Sequence, residues 1–169
     1  GTSGVTPWVN EVGAFPTKNF WTTFFEDHEG IGGEALKERI WLTDKGCFGC
    51  PTPCGKYSLT RVGEKAAYVE GPEYETVALL GGNCMLRTIE EVAYANYLCD
   101  ELGLDTISGG SVVAFALECA ERGIITEEQI GRKVQWGDID SFEYLITAIA
   151  KREGIGDILA DGVRAAAAE

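Results

Sequence analysis

Thr88-Ile-Glu-Glu-Val-Ala-Tyr-Ala-Asn-Tyr-Leu-Cys-Asp-Glu-Leu-Gly-Leu-Asp105 holds the signals for one helix to start, stop and be followed by another. Thr88 and Glu91 stand at capping-box spacing, where the threonine hydroxyl takes the Glu91 amide and the glutamate reaches back to the Thr88 amide. The helix they open runs to about Leu102. Gly103 then supplies the residue that can turn left-handed without a Cβ penalty. Asp105 sits where the N-cap of the next helix belongs. Helical signals continue downstream: an apolar stripe through Val112, Val113, Ala116, Leu117 and Ala120 that stops at Gly123, and a second capping box, Thr126 to Gln129. Asp140-Ser-Phe-Glu143 is expected to open a helix ending near Gly154, and a last helix to start at about Gly156.

Upstream the pattern is more broken. Residues 1–20 are irregular, Phe20–Phe25 reads as a short buried helix, and Glu34–Leu42 as a second, with Leu36, Ile40 and Trp41 on one side. Tyr57-Ser-Leu-Thr-Arg-Val62 and Ala67-Tyr-Val69 predict a short hairpin turning near Gly63. There is no internal repeat and no linker long enough to separate two domains. The expectation is a mainly α, multihelical single domain over residues 1–169, with a Cys-rich loop and at most a short β-hairpin.

That loop is Lys45-Gly-Cys-Phe-Gly-Cys-Pro-Thr-Pro-Cys-Gly-Lys56. Cys47, Cys50 and Cys54 follow the pattern C-x2-C-x3-C, separated by glycines and prolines that rule out a helix face. Gly46, Gly49 and Gly55 open backbone angles closed to other residues and leave amides free to point at sulfur. Three thiolates so placed can hold three corners of a [4Fe–4S] cluster, the fourth ligand coming from elsewhere. Structural zinc is the alternative, but it favours paired C-x2-C units or Cys–His sets, and the only histidine is His28. Cys84, Cys99 and Cys119 lie singly in apolar stretches and read as small buried hydrophobes.

The totals narrow the function classes. With 27 acidic and 14 basic residues the net charge is −13, the wrong sign for a nucleic-acid footprint. No apolar run approaches the roughly 20 residues of a membrane helix. Cysteines gathered in one loop favour a metal site in a reducing compartment, so a cytoplasmic protein is expected, with neither nucleic acid nor membrane as partner. The chain opens on Gly1-Thr-Ser-Gly4 rather than Met, as expected for a piece of a longer sequence.

Two acidic groups could carry chemistry. Asp100-Glu-Leu-Gly-Leu-Asp105 has a simple reading as a helix stop and an N-cap. It has a functional reading as a pair of carboxylates able to accept hydrogen bonds from a ligand's amino groups. Glu70, Glu73 and Glu75 flank a Gly-Pro turn, either as a solvated acidic turn or as a source of a general acid or base.

Taken together, these motifs make the chain resemble the aldehyde ferredoxin oxidoreductase family, the tungsten- or molybdenum-pterin enzymes. The resemblance rests on Gly1-Thr-Ser-Gly4, Pro16-Thr-Lys-Asn19, the three-cysteine loop, Gly71-Pro-Glu-Tyr-Glu75, the D-x-x-G-L-[C/D] motif at Asp100–Asp105, and Gly156-Asp-Ile-Leu-Ala-Asp-Gly-Val163, in family order. It implies the central (second) domain of such an enzyme, with N- and C-terminal parts outside the chain. A tungsten or molybdenum bis-pterin would be shared with those parts. Cys47, Cys50 and Cys54 would bind the [4Fe–4S] cluster, its fourth cysteine lying in a later copy of the pterin motif. Asp100, Gly103, Leu104 and Asp105 would form the pterin site. Glu75 would manage a proton, ahead of Glu73. Electrons would pass from a small aldehyde, becoming a carboxylate, to ferredoxin, or the reaction would run in reverse. Lys45 and Lys56 would favour the reduced cluster by their charge. The family's E-x-x-H iron pair is replaced here by Tyr94-Ala-Asn-Tyr97, so no such iron is expected. Two alternatives stay open: reduction of an aromatic acyl-CoA or other carboxylic compound, and a non-catalytic iron–sulfur or zinc module.

Overall fold

The computed structural model describes all residues, Gly1–Glu169. After a 3-10 turn at Thr2–Val5 come α1 (Thr6–Glu11), α2 (His28–Ile31) and α3 (Gly33–Arg39), then β1 (Trp41–Lys45), β2 (Gly55–Val62) and β3 (Lys65–Glu70). The rest is helical: α4 (Tyr74–Thr76), α5 (Ile89–Leu102), α6 (Thr106–Glu121), α7 (Glu127–Ile130), α8 (Ile139–Lys151), α9 (Ile155–Leu159) and α10 (Val163–Ala166). The fold is mainly α with one small sheet, as the sequence predicts. No single helix is long and apolar enough to cross a membrane.

The core lies between α5, α6 and α8, where Val92, Ala95, Val113, Leu145 and Ile146 are wholly buried. Both predicted capping boxes form, Thr88 with Glu91 and Thr126 with Gln129. Helix α6 approaches the Val77–Gly81 turn so closely that a Cβ on Gly110 would meet the Leu79 carbonyl oxygen at 2.4 Å. The sheet lays β2 and β3 on α5, with Ser58, Thr60, Ala67 and Val69 inward; the Thr60 hydroxyl donates to the Glu90 carbonyl at 2.7 Å.

Five expectations are corrected. Residues 1–20, expected to be irregular, contain helix α1, with Pro7 in its first turn, where a missing amide costs nothing. Helix α3 ends at Arg39, and Trp41 and Leu42 lie on the exposed edge strand β1, because Leu59 N–H claims the Ile40 carbonyl (2.9 Å) and draws the chain into the sheet. The sheet therefore has three antiparallel strands, order β1-β2-β3, with the predicted hairpin as β2–β3. Phe20–Phe25 is not a helix. Lys18, Asn19 and Phe20 all have positive φ, their amides donating to the Gly82 carbonyl, the Asn83 carbonyl and Asn83 Oδ1, and only Phe25 of that run's phenylalanines is buried. Helix α8 is capped by Asp138, which accepts from Ser141 N, and ends at left-handed Arg152, before Gly154. The last helix is split into α9 and α10 by Gly162, at φ 89°.

Candidate functional site

The cysteine loop is tied at its neck. Lys45 and Gly55 pair across β1 and β2, and Gly55 is backed by Glu70: a Cβ there would lie 2.8 Å from the Lys45 oxygen and 2.7 Å from Glu70 Oε1. Within the loop, Cys50 N–H donates to the Cys47 carbonyl (3.0 Å) and Gly49 takes φ 74°. Cys47, Cys50 and Cys54 are free and exposed, and Phe48 projects fully into solvent between the first two. No three His, Cys, Asp or Glu side chains converge on one point as a single metal ion requires. In a [4Fe–4S] cluster each cysteine takes a different iron, so the thiols stand farther apart around their common centre than around a single ion. Three free thiols on one loop are, by their chemistry, the donor set that three corners of such a cluster take. The other cysteines are core residues: Cys84 Sγ is bound to the Leu79 and Gly110 carbonyls, and burial pushes the Cys99 thiol up to about 12, with Asp100 and Asp105 adding to the shift.

The flanking lysines are not free positive charges. Lys45 Nζ lies 2.6 Å from Glu70 Oε2 and Lys56 Nζ 2.8 Å from Asp44 Oδ1. These hydrogen-bonded pairs raise both lysine pKa values and lower that of Asp44. Each lysine charge at the loop is thus opposed by a carboxylate. An open cleft of about 370 Å³, lined by Gly1, Ser3, Trp41, Asp44 and Lys56 among others, adjoins the neck.

The acidic turn assigns its three glutamates different surroundings. Glu70 is paired with Lys45. Glu73 accepts from Thr2 N–H (2.9 Å) and the Thr2 hydroxyl, while Tyr74 N–H donates to Thr2 Oγ1 (2.8 Å), so the N-terminal turn acts as a strap over this segment. Glu75, in the first turn of α4, is exposed. Burial and the Glu75 charge raise the Tyr74 phenol.

At the α5–α6 junction both readings of the Asp100–Asp105 stretch can coexist. Gly103 (φ 70°) donates to the Asp100 carbonyl (3.2 Å) and Leu104 to the Cys99 carbonyl (2.8 Å), the reciprocal pair that closes a helix end. Asp105 caps α6 through Ser108 N (2.7 Å), and the axes turn by 110°. Hydrogen bonds from Ser108 lower the Asp105 pKa. Desolvation, then Glu101 and Glu70, raises that of Asp100. Gly103, Asp100 and Asp105 are exposed, and Leu104 is half-buried against the core.

The three motifs adjoin one another. Gly1 sits where a Cβ would touch the Cys54 carbonyl at 3.2 Å and Glu73 Oε2 at 3.5 Å, and Gly71 packs on Asn96, whose amide donates to Asp100 Oδ2 at 3.0 Å. Thr2 and Asn96 make these joins, and no local sequence signal marks either. Elsewhere, Tyr94 is buried with its hydroxyl donating to Glu143, and His28 Nδ1 rests between Asn10 and the Phe25 carbonyl. A second cleft, lined by Lys18, Trp21, Glu118, Glu121, Arg122 and Trp136, shares no residue with the cysteine loop, the acidic turn or the α5–α6 junction and is bridged by its own ion pairs.

The family model of aldehyde ferredoxin oxidoreductase, domains 2 and 3, matches residues 1–169. A tungsten-containing aldehyde ferredoxin oxidoreductase of Pyrococcus furiosus is 42% identical over 165 residues, covering 96% of this chain and 27% of that protein. An aliphatic sulfonate oxidoreductase, WOR-like subunit, from the same organism is 39% identical over 154 residues, covering 90% and 24%. Among solved structures, the active-site complex BamBC of benzoyl coenzyme A reductase with 1,5-dienoyl-CoA matches with TM-score 0.73 and 25% identity, over 95% of this chain and 24% of that one. The chain thus spans about a quarter of the length of these relatives.

Proposed function

Because the chain belongs to the aldehyde ferredoxin oxidoreductase family, we propose that it forms the cluster- and pterin-binding central domain of an enzyme that interconverts aldehydes and carboxylic acids. The observation that carries this reading is the adjacency of an exposed three-thiol loop, a turn with one uncommitted glutamate, and the two-carboxylate helix junction. Relatives at 42%, 41% and 38% identity bear the aldehyde name, which favours the aldehyde reaction over that named for the 39% identical sulfonate oxidoreductase.

When bound, the tungsten- or molybdenum-pterin supplies two-electron exchange with the substrate carbon, and the cluster the one-electron exits to a carrier such as ferredoxin. Cys47, Cys50 and Cys54 hold three cluster irons; the fourth donor comes from outside the loop. Asp105, its charge secured by the α6 amides, and Asp100 accept hydrogen bonds from pterin ring nitrogens, while Gly103 and Leu104 shape the backbone between them. Aldehyde and water become carboxylic acid with release of two electrons and two protons, and Glu75 would take one of those protons at its carboxylate, the other leaving to solvent, or return it in the reverse direction. The proposal extends to a cytoplasmic location and to the remaining domains of the enzyme as partners. The 169 residues alone are expected to be inactive.

The test is anaerobic purification of the full-length enzyme from the sequence's own reading frame, with analysis for iron, sulfide, tungsten, molybdenum and zinc, and assays of aldehyde-dependent dye reduction. Iron with sulfide and one of the two heavy metals, lost cluster in Cys47→Ser, and aldehyde turnover are expected. Zinc without iron overturns the reading. Turnover of an aromatic acyl-CoA and not of aldehydes selects the second reading, which the likeness to the benzoyl-CoA reductase complex favours.

A further inference from the structure

Asn96 lies on α5 one turn before Asp100 and is 5% exposed. Its side chain works in two directions. Nδ2 donates to Asp100 Oδ2 at 3.0 Å, and Oδ1 rests against Gly71, the position where a Cβ would stand 3.2 Å from it. Gly71 in turn begins the segment that leads to Glu75. A carboxylate at a helix end rotates freely about its last bond unless a donor holds one oxygen, and a rotating acceptor must be ordered before it can bind. Here the donor is itself immobilised, packed between a helix and a turn. One oxygen of Asp100 is thereby committed to the protein, and the other makes no hydrogen bond within the chain.

We propose that Asn96 is a positioning residue, which orients the Asp100 carboxylate toward a donor on the pterin and sets the spacing between α5 and the Gly71 turn that leads to Glu75. The inference rests on the reading of Asp100 as a pterin acceptor. It adds a residue that touches neither pterin nor substrate and acts through one that does. Leucine at position 96 fills nearly the same volume and supplies no donor. Aspartate keeps the shape and replaces the donor by a like charge.

The experiment compares Asn96→Leu, Asp100→Asn and the double variant in the full-length enzyme. It measures pterin per chain by fluorescence after oxidative release, iron per chain, and melting temperature. Asn96→Leu is expected to lower retained pterin about fivefold, the effect of one hydrogen bond, while iron per chain stays at the wild-type value. The double variant is expected to retain no less pterin than Asp100→Asn alone, because Asn96 acts through Asp100. Should Asn96→Leu fail to fold, the isosteric Asn96→Asp carries the same comparison. Wild-type pterin in the Asn96 variant, with pterin lost in Asp100→Asn, overturns the inference and leaves the Asp100 reading standing. So does an additive loss in the double variant, or iron falling in step with pterin, both marks of a merely structural role. Wild-type pterin in Asp100→Asn overturns the Asp100 reading and this inference with it.

Discussion

Gly109 and Gly110 are neighbours on α6, and the structure predicts different outcomes for alanine at the two positions. A Cβ at 110 would stand 2.4 Å from the Leu79 carbonyl oxygen and 2.7 Å from its carbon, with backbone on both sides of the contact. Neither partner can rotate away, so α6 must move off the Val77–Gly81 turn by roughly 1 Å to restore an ordinary separation, an overpacking cost near the upper end of about 1–3 kcal/mol. The same movement pulls the Gly110 carbonyl from Cys84 Sγ, now at 3.3 Å. Alanine returns about 1 kcal/mol in helix propensity, leaving a net loss of about 2 kcal/mol. At 109 the nearest atom is the tip of a side chain, Ile146 Cδ1 at 3.1 Å, which gives way by a few tenths of an ångström. Propensity there roughly cancels the contact, and the net change is about zero. For a chain of this size each kcal/mol moves the melting temperature by about 2–4 °C, so Gly110→Ala should melt about 4–8 °C below wild type and Gly109→Ala close to it. Circular dichroism at 222 nm on both variants, with urea titrations at one temperature, measures the difference. Equal melting points, or the reverse order, would refute the claim that backbone contact sets the α6 position.

Three further predictions test the frame around the site. Thr88→Ala removes the hydroxyl that accepts from Glu91 N–H, leaves the bond from the residue 88 amide to the Glu91 carboxylate, and should cost about 1 kcal/mol in a urea titration, with Thr88→Ser recovering most of it. Asp105 has a folded pKa below its unfolded value of about 3.9, so its contribution is present above that pH and fades as pH falls through the folded value. The stability gap between wild type and Asp105→Asn should therefore be fully open at pH 6 and narrow progressively as pH falls below about 3.9, and a gap independent of pH contradicts the cap. With the cluster in place, the paired Glu70→Gln and Asp44→Asn variant leaves Lys45 and Lys56 unopposed and should raise the cluster potential, whereas neutralising both lysines should lower it. Redox titration followed by electron paramagnetic resonance reads both shifts, and a potential unmoved by either removes the lysines from the account.

Where the sequence was legible, the signal was local. Thr88, Glu91, Gly103 and Asp105 are within a turn of the groups they satisfy, so the α5–α6 junction could be read from spacing. The β2–β3 hairpin was equally readable, since its alternation and Gly63 are contained in a few residues. Strand β1 was hidden because Ile40 and Trp41 continue the helical apolar spacing of Leu36, and only the Leu59–Ile40 bond ends it. The Phe20–Phe25 run failed for the same reason: its left-handed turn is imposed by Gly82 and Asn83, more than 60 residues away in sequence. In the site, residue types pointed to thiols and carboxylates, but not to which of them were already engaged. Distinguishing Glu73, held by Thr2, from the exposed Glu75 required the strap to be seen.

The positions of these donors follow one physical rule. Each exposed group is carried by backbone whose own hydrogen bonds are closed within the chain: the loop by the Lys45–Gly55 pair, the Asp100–Asp105 motif by the Gly103 and Leu104 amides, and the Glu75 turn by Thr2. An acceptor on unclosed backbone would lose binding energy to the ordering of that backbone, at about 1–2 kcal/mol per residue fixed. Closure puts this cost into folding, so it is already met when a ligand arrives. Closure also explains why the glycines at 55 and 71 carry constraints unrelated to flexibility. At 55 a side chain would strike the neck carbonyl and Glu70. At 71 it would press on Asn96 from a left-handed backbone. The two glycines are the points where one motif's backbone touches the next motif's support, and substitution at either should disturb two sites at once.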